Sequence, residues 1–271
     1  MIGLTAFPHG TLVERAIELL RLGPCSAEEL SVRVLGLPNA PRGVAERLAT
    51  ALLGADPRVR HDATGRWSLV AMAQGSPLLE ECAFAVVDVE TTGMQATGND
   101  RVTEIAVVIV HGNRREIIFD SLVNPGRPIP ERIVGLTGIT DDMVRFAPSF
   151  CDVVEQVMGA LAGRVFVAHN ARFDWNFVCA EVKRSRDLSL DGPRLCTVRL
   201  ARRLVRQEPS YSLGSLANRF GFEFSARHRA AGDAMVTGML LERLLIAARD
   251  RGARTLADLE TLHRTPVSEC G

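Results

Sequence analysis

A chain of 271 residues with 46% apolar and 24% charged side chains has the composition of a folded globular protein, which excludes a disordered or low-complexity scaffold. Its 32 basic and 32 acidic residues cancel, so any attraction to a polyanion must rest on local patches. The longest apolar run, Ile105 to Val110, is far too short to span a bilayer, and Glu14 and Arg15 stand where a secretory core would be apolar; the expectation is a cytoplasmic protein without membrane contact.

The first elements in chain order are helical. Apolar residues recur at helical spacing from Leu12 to Leu22, Ser26 followed by Glu28 and Glu29 reads as the N-cap of a second helix, and a third helix runs from Arg42 to Leu53. Two extended arms then flank a turn at Asp62-Ala63-Thr64-Gly65. Three helices and a hairpin within about 70 residues make a winged-helix-like pattern, a fold whose third helix enters the major groove. Arg42, Arg47, Arg60 and Arg66, with Arg58 and His61, are its candidate nucleic-acid contacts. Only a small basic excess supports them, and a spacer or protein-binding role reads equally well.

The pattern loosens between Met72 and Cys82, and the expected division is a winged-helix-like domain over 1–74, a linker over 75–82, a second domain over 83–250 and a tail over 251–271. In the second domain, strands at Ala83–Val89, Glu104–Val110 and Glu116–Val123 precede a helix at Phe150–Leu161 and a fourth strand at Val165–Ala168. Helices follow over Asp174–Arg184, Thr197–Arg206, Leu213–Phe220 and Ala231–Arg249. This order predicts an α/β domain with one mixed central sheet flanked by helices, after a small α+β domain. The six cysteines form no Cys-x-x-Cys pair and read as buried thiols rather than a zinc or disulfide framework. Arg199, Arg202, Arg203 and Arg206 share one helical face, either a solvated surface or a track for phosphates.

Three acidic segments stand out. The first strand ends FAVVDVETTG, where residues two apart share a face, so Asp88 and Glu90 project side by side. Alone they could be a solvent-facing edge. In HNARFD, Asp174 opens a helix and could be only a first-turn acid. In HRAAGDA, His228 precedes Asp233 at the start of a long helix, and either could be a plain surface residue.

Together and in this order, DxETTG, HNxxFD and HxAxxDA resemble the motifs of the DEDDh 3′–5′ exonuclease superfamily, which has a ribonuclease H-like fold. NPGRPIPERIVGLTGITDDMV and YSLGSLANRFGF extend the resemblance over residues 83 to 248, toward the epsilon-type proofreading exonucleases of DNA polymerase III. It implies a metal-dependent 3′–5′ exonuclease acting on DNA ends in proofreading or repair, with DNA 3′ ends and DNA polymerase III components or repair proteins as partners. Hard divalent cations, Mg²⁺ or Mn²⁺, prefer carboxylate oxygens, which suits four acids and no thiolate. Two such ions, by the resemblance, would be held by Asp88, Glu90, Asp174 and Asp233, with His228 as the general base. Thr91, Thr92 and Gly93, and more weakly Asn170 and Phe173, would meet the terminal nucleotide, while His169 reads as structural.

Two alternatives stay open. One is an exoribonuclease of the oligoribonuclease or RNase T type. The other is a DNA-binding recruitment module with an inert nuclease fold. The residues ahead of the catalytic strand depart from the proofreading subunits, and the C-terminal stretch shows no clamp- or polymerase-binding motif.

Overall fold

The computed structural model describes residues 5–8, 12–21, 23–56, 58–62, 65–69, 76–205, 208–224 and 228–264. The chain divides into two units, one over residues 7–76 and one from residue 77 onward that also takes in Thr5 and Ala6, the start of β1. After β1 (Thr5–Pro8), α1 (Leu12–Arg21) buries Ala16, Leu19 and Leu20. α2 (Ala27–Arg33) begins with a reciprocal cap: Ser26 Oγ accepts the Glu29 N–H at 3.2 Å and the Glu29 carboxylate accepts the Ser26 N–H at 2.7 Å. α3 (Arg42–Leu53) turns Ala45, Ala49 and Leu53 inward. The two-residue β2 (Cys25–Ser26), too short to show a period in the sequence, pairs with β4 (Arg66–Leu69), and β4 pairs with β3 (Val59–His61), giving an antiparallel sheet of order β2-β4-β3. Trp67 on β4 is buried in this unit's core with Leu20, Leu30 and Leu53. Of the expected turn, Ala63 and Thr64 lie outside the described residues.

The second unit is built on β5 (Phe84–Thr91), β6 (Val102–His111) and β7 (Arg114–Leu122), each longer than the sequence pattern indicates. Within the stretch expected as a linker, Leu79 and Cys82 are buried in this unit's core, and the Leu79 N–H donates to the Arg254 carbonyl at 2.9 Å. Two helices not foreseen, α4 (Glu131–Thr137) and α5 (Asp141–Val144), follow β7; both are too short for helical periodicity to register. Then come α6 (Phe150–Leu161), β8 (Val165–Ala168), α7 (Ala171–Arg186), β9 (Leu188–Asp191) and β10 (Arg194–Cys196). The chain continues through α8 (Thr197–Leu204), α9 (Leu213–Phe220), α10 (Ala230–Asp250) and α11 (Leu256–Arg264), the last inside the expected tail.

Five strands form one mixed sheet of order β10-β8-β5-β6-β7, with β10, β8 and β5 parallel and β6 and β7 antiparallel to their neighbours. α6 and α7 cover one face around Val154 and Phe177. α8, α9, α10 and α11 cover the other around Leu200, Leu216, Leu240 and Leu256. This is the expected α/β layering with a ribonuclease H-like mixed sheet. The two-residue period of β5 sends Ala85, Val87 and Val89 toward α6 and α7, and Phe84 and Val86 toward α10. α10 approaches closely because Gly238 has no side chain; a Cβ there would stand 3.2 Å from Val110 Cγ2. β7 is an edge strand, exposing Ile117 and Ile118 beside Arg114, Arg115 and Glu116.

Among the described residues no helix is long and apolar enough to cross a membrane. The described cysteines are all free thiols; Cys25, Cys82 and Cys196 are buried as expected, whereas Cys151 is exposed beside the Arg186 guanidinium.

Candidate active site

Beyond Val86 the row of β5 that faces α10 continues with Asp88 and Glu90. Asp233 stands in the first turn of α10, the helix packed over that row. Carboxylate oxygens of Asp88, Glu90 and Asp233 all lie within 4.8 Å of one another. The strand pairing explains the fourth acid. β8 pairs with β5 only as far as Val86, which leaves the β5 edge beyond it without a strand partner on that side. Asp174, buried in the first turn of α7, fills the gap: its Oδ1 accepts the Val89 N–H at 3.2 Å. The acids therefore flank the end of β5 from two sides, Asp233 from the α10 face and Asp174 from α7.

Such a grouping is electrostatically uphill. Burial first, then the charges of Asp174, Asp233 and Glu90, push the Asp88 carboxyl well above the ordinary range. Burial and the Asp233 and Glu104 charges raise Glu90 to about 7, and burial is the chief cause of Asp174 rising to about 8. Carboxylates held together against this cost are a donor set for a hard cation, whose charge reverses the balance. Asp88, Glu90 and Asp233 fit a divalent ion; Asp174 stands outside the group that shares mutual ligand distance.

His228 lies directly before α10 in the left-handed region, at φ 58°, and its N–H donates to Asp233 Oδ2 at 3.2 Å. Residues 225–227 are outside the described residues. His169, at the end of β8, makes two bonds inside the fold: the Thr197 hydroxyl at 2.9 Å on Nδ1 and the Tyr211 carbonyl at 3.1 Å on Nε2. Burial lowers it to about 4, so it is neutral and structural in position. Asn170 adopts φ 80° ahead of α7 and is exposed, whereas Phe173 packs on Phe177 at 4.9 Å at the margin of the core.

The Thr91–Gly93 turn is more enclosed than the sequence implied. The Thr91 hydroxyl donates to the Gly93 carbonyl at 2.6 Å. Thr92 donates its N–H to the Arg101 carbonyl at 2.8 Å and accepts the Arg101 N–H on its hydroxyl at 3.0 Å. Both threonines are buried, so these groups brace the loop rather than reach outward. Arg101 is held in turn by Glu181, fully buried on α7, at 2.7 and 2.9 Å.

In the first unit the basic candidates divide. Arg42 pairs with Glu46 at 3.0 Å at an exposed position, Arg47 and Arg60 are exposed, and Arg66 donates to the Pro24 carbonyl near Glu29. Arg58 is withdrawn into ion pairs with Asp56 at 2.6 Å and Glu14 at 3.2 Å. On α8, Arg199 and Arg202 are exposed, with Arg202 over the Tyr211 ring at 5.9 Å, while Arg206 lies outside the described residues.

Sequence reasoning missed Glu104 and Arg229. Glu104 on β6 lies directly across from Glu90 and is almost fully buried, and Arg229 grips it with bonds of 2.6 to 3.1 Å. The available signal was a lone acid in the otherwise uncharged run VTEIAVVIV.

A mixed five-stranded sheet with acids gathered at the end of its central strand is the architecture of the DEDD-type exonucleases of ribonuclease H-like fold. The exonuclease family model RNase T matches residues 85–241, and the chain belongs to this family. It is 38% identical over 208 residues to a DNA polymerase III subunit epsilon-like protein of Rhodobacter capsulatus, covering 74% of this chain and 29% of that protein. It is 36% identical over 176 residues to the PolC-type DNA polymerase III of Bacillus subtilis, covering 65% of this chain and 12% of the polymerase. The chain thus spans less than a third of each of these relatives. Exonuclease X, solved in complex with 5′-overhanging duplex DNA, superposes with a TM-score of 0.54 at 26% identity over 66% of this chain and 99% of its own.

Proposed function

We propose that the chain is a metal-dependent 3′–5′ exonuclease that removes nucleoside 5′-monophosphates from DNA ends. The observation that carries this reading is the convergence of Asp88, Glu90 and Asp233 within 4.8 Å, with the His228 backbone tied to Asp233. The family, and the DNA complex of the structural neighbour, support a nucleic-acid substrate. Mg²⁺ or Mn²⁺, two ions in the family pattern, would neutralise the phosphoryl oxygens and favour hydroxide and alkoxide character at the attacking and leaving oxygens.

The protein's own groups divide the remaining work. Asp88, Glu90 and Asp233 would hold the cation from one side, and Asp174, fixed on the Val89 N–H, would add its negative charge from the other. A ring nitrogen of His228 takes the proton of the attacking water as its oxygen bonds to phosphorus. The P–O3′ bond breaks, O3′ gains a proton from solvent, and the shortened strand keeps a 3′-hydroxyl. The braced Thr91–Gly93 loop, with Asn170, borders the terminal nucleotide. The first unit, with its helix–strand order and exposed Arg42, Arg47, Arg60 and Arg66, acts as a winged-helix-like module that brings the nuclease to DNA; polymerase or repair components are the partners this implies.

The test uses 5′-labelled single-stranded DNA with a matched RNA, in Mg²⁺, Mn²⁺ or chelator, and Asp88→Ala as control. A metal-dependent ladder shortening from the 3′ end of DNA, absent in the control, is the expected result. Faster RNA shortening would move the reading to the exoribonuclease branch. No shortening of either strand would refute it in favour of the binding module.

A further inference from the structure

We propose that Glu104 and Arg229 form a positioning pair that fixes His228 against the carboxylate cluster. The inference rests on the function proposed above, in which His228 is the base. It begins from the sheet. Glu104 pairs in register with Glu90 on the face toward α10. Two like charges directly opposite one another repel, and a carboxylate only 2% exposed cannot rely on water to relieve it. Such a residue is tolerable only with a dedicated partner.

Arg229 is that partner, and its geometry does more than neutralise. Its Nε donates to both Glu104 oxygens at 2.9 and 3.1 Å, and Nη2 donates to Oε1 at 2.6 Å. Glu104 Oε2 also accepts the Ala230 N–H at 2.9 Å. α10 has no cap from its own N-cap side chain, so a strand residue supplies the acceptor that one of its first N–H groups needs. The Asp233 N–H donates to the Arg229 carbonyl at 3.1 Å, and the His228 N–H donates to Asp233. Residues 228–230 are therefore pinned at consecutive positions to β6 and to Asp233.

The anchoring matters because of the backbone at His228. A φ of 58° is sparsely populated by residues other than glycine, and its surroundings must hold it there. Glu104 holds the two residues immediately after it, Arg229 through its guanidinium and Ala230 through its N–H. They act through His228 and not on the substrate.

The experiment measures kcat and KM on the labelled DNA oligonucleotide at saturating metal for wild type, Arg229→Ala, Arg229→Lys, His228→Ala and the double variant His228→Ala/Arg229→Ala, with the thermal melt of each. Arg229→Ala is expected to lower kcat by about 10–100-fold while KM moves less than about threefold. Arg229→Lys, which keeps the charge but not the fork, recovers part of the loss. In the His228→Ala background the same change costs less than about threefold, because the group being positioned is gone. Amide exchange followed by NMR supplies a readout independent of turnover: Arg229→Ala speeds exchange of the His228 N–H by at least about tenfold. If Arg229→Ala fails to fold, Arg229→Lys is read in the same cycle and the same exchange measurement. An active wild type with a full additive loss in the double variant, or unchanged His228 exchange, overturns the positioning pair alone. An inactive wild type removes the proposed function and this inference with it.

Discussion

Replacing Glu90 by glutamine should change how stability depends on pH in the metal-free protein. Burial and the neighbouring Asp233 and Glu104 charges raise Glu90 from 4.5 to about 7. The folded protein thus holds this proton more tightly than the unfolded chain does. The stabilisation is full below pH 4.5, declines as pH rises, and is lost above about 7. At about 1.4 kcal/mol for each pH unit between those values, the loss reaches about 3 kcal/mol. The glutamine side chain has no proton to lose, so in EDTA the wild type should weaken by about 3 kcal/mol relative to Glu90→Gln between about pH 4.5 and about pH 8. Urea unfolding followed by Trp175 fluorescence, with Trp67→Phe in both proteins to silence the first unit, measures the difference. His169 and His263, both lowered to about 4 by burial, titrate with the opposite sign in the same window but cancel in the comparison. Mg²⁺ at about pH 8 should reverse the order, stabilising wild type more than the variant. Parallel stability curves in EDTA would refute the account of the carboxylate cluster.

Three further outcomes follow from other contacts. Glu181→Ala leaves Arg101 without its buried partner and should destabilise the second unit by about 3–5 kcal/mol in urea, with Glu181→Gln losing less; equal losses would mean that charge is irrelevant there. In Gly93→Ala the new Cβ would collide with the Asp100 carboxylate, so that side chain, which also accepts the Gln95 N–H, or the loop itself must move; kcat/KM on DNA should fall about 10–100-fold, and an unchanged value would remove the loop from the nucleotide site. Ser26→Ala breaks the capping box and should cost the first unit about 1 kcal/mol, read from Trp67 fluorescence on denaturation, while DNA shortening stays as in wild type.

What the sequence disclosed depended on the distance over which each signal operates. Asp88 and Glu90 could be placed on one face because strand alternation is local, and the capping box at Ser26 needs only three following residues. Glu104 was invisible for the opposite reason. Its meaning comes from the register opposite Glu90 and from an arginine 125 residues away, and neither is written in VTEIAVVIV. Arg58 shows the same limit, since a basic residue in a hairpin reads as a surface charge until Glu14, 44 residues earlier, is found beside it. The threonines after Glu90 read in sequence as facing a terminal nucleotide, and only the folded loop shows their hydroxyls engaged with Gly93 and Arg101. α4 and α5 stayed hidden because seven and four residues complete too few turns to display a repeat.

The sheet that carries these acids ends, on one side, in the three residues of β10, and on the other in the nine of β7. A long free edge with Ile117 and Ile118 exposed is the shape on which another strand can dock, and repeated docking leads to aggregates. The charges in RRE, Arg114 to Glu116, and the irregular register between Val107 and Val108 oppose a flat, uncharged ladder there. These charges sit at the end of β7 away from Asp120 and Leu122, which lie beside Ala106 and Glu104, and replacing all three with valine or threonine would favour edge-to-edge pairing of the sheet that carries the site.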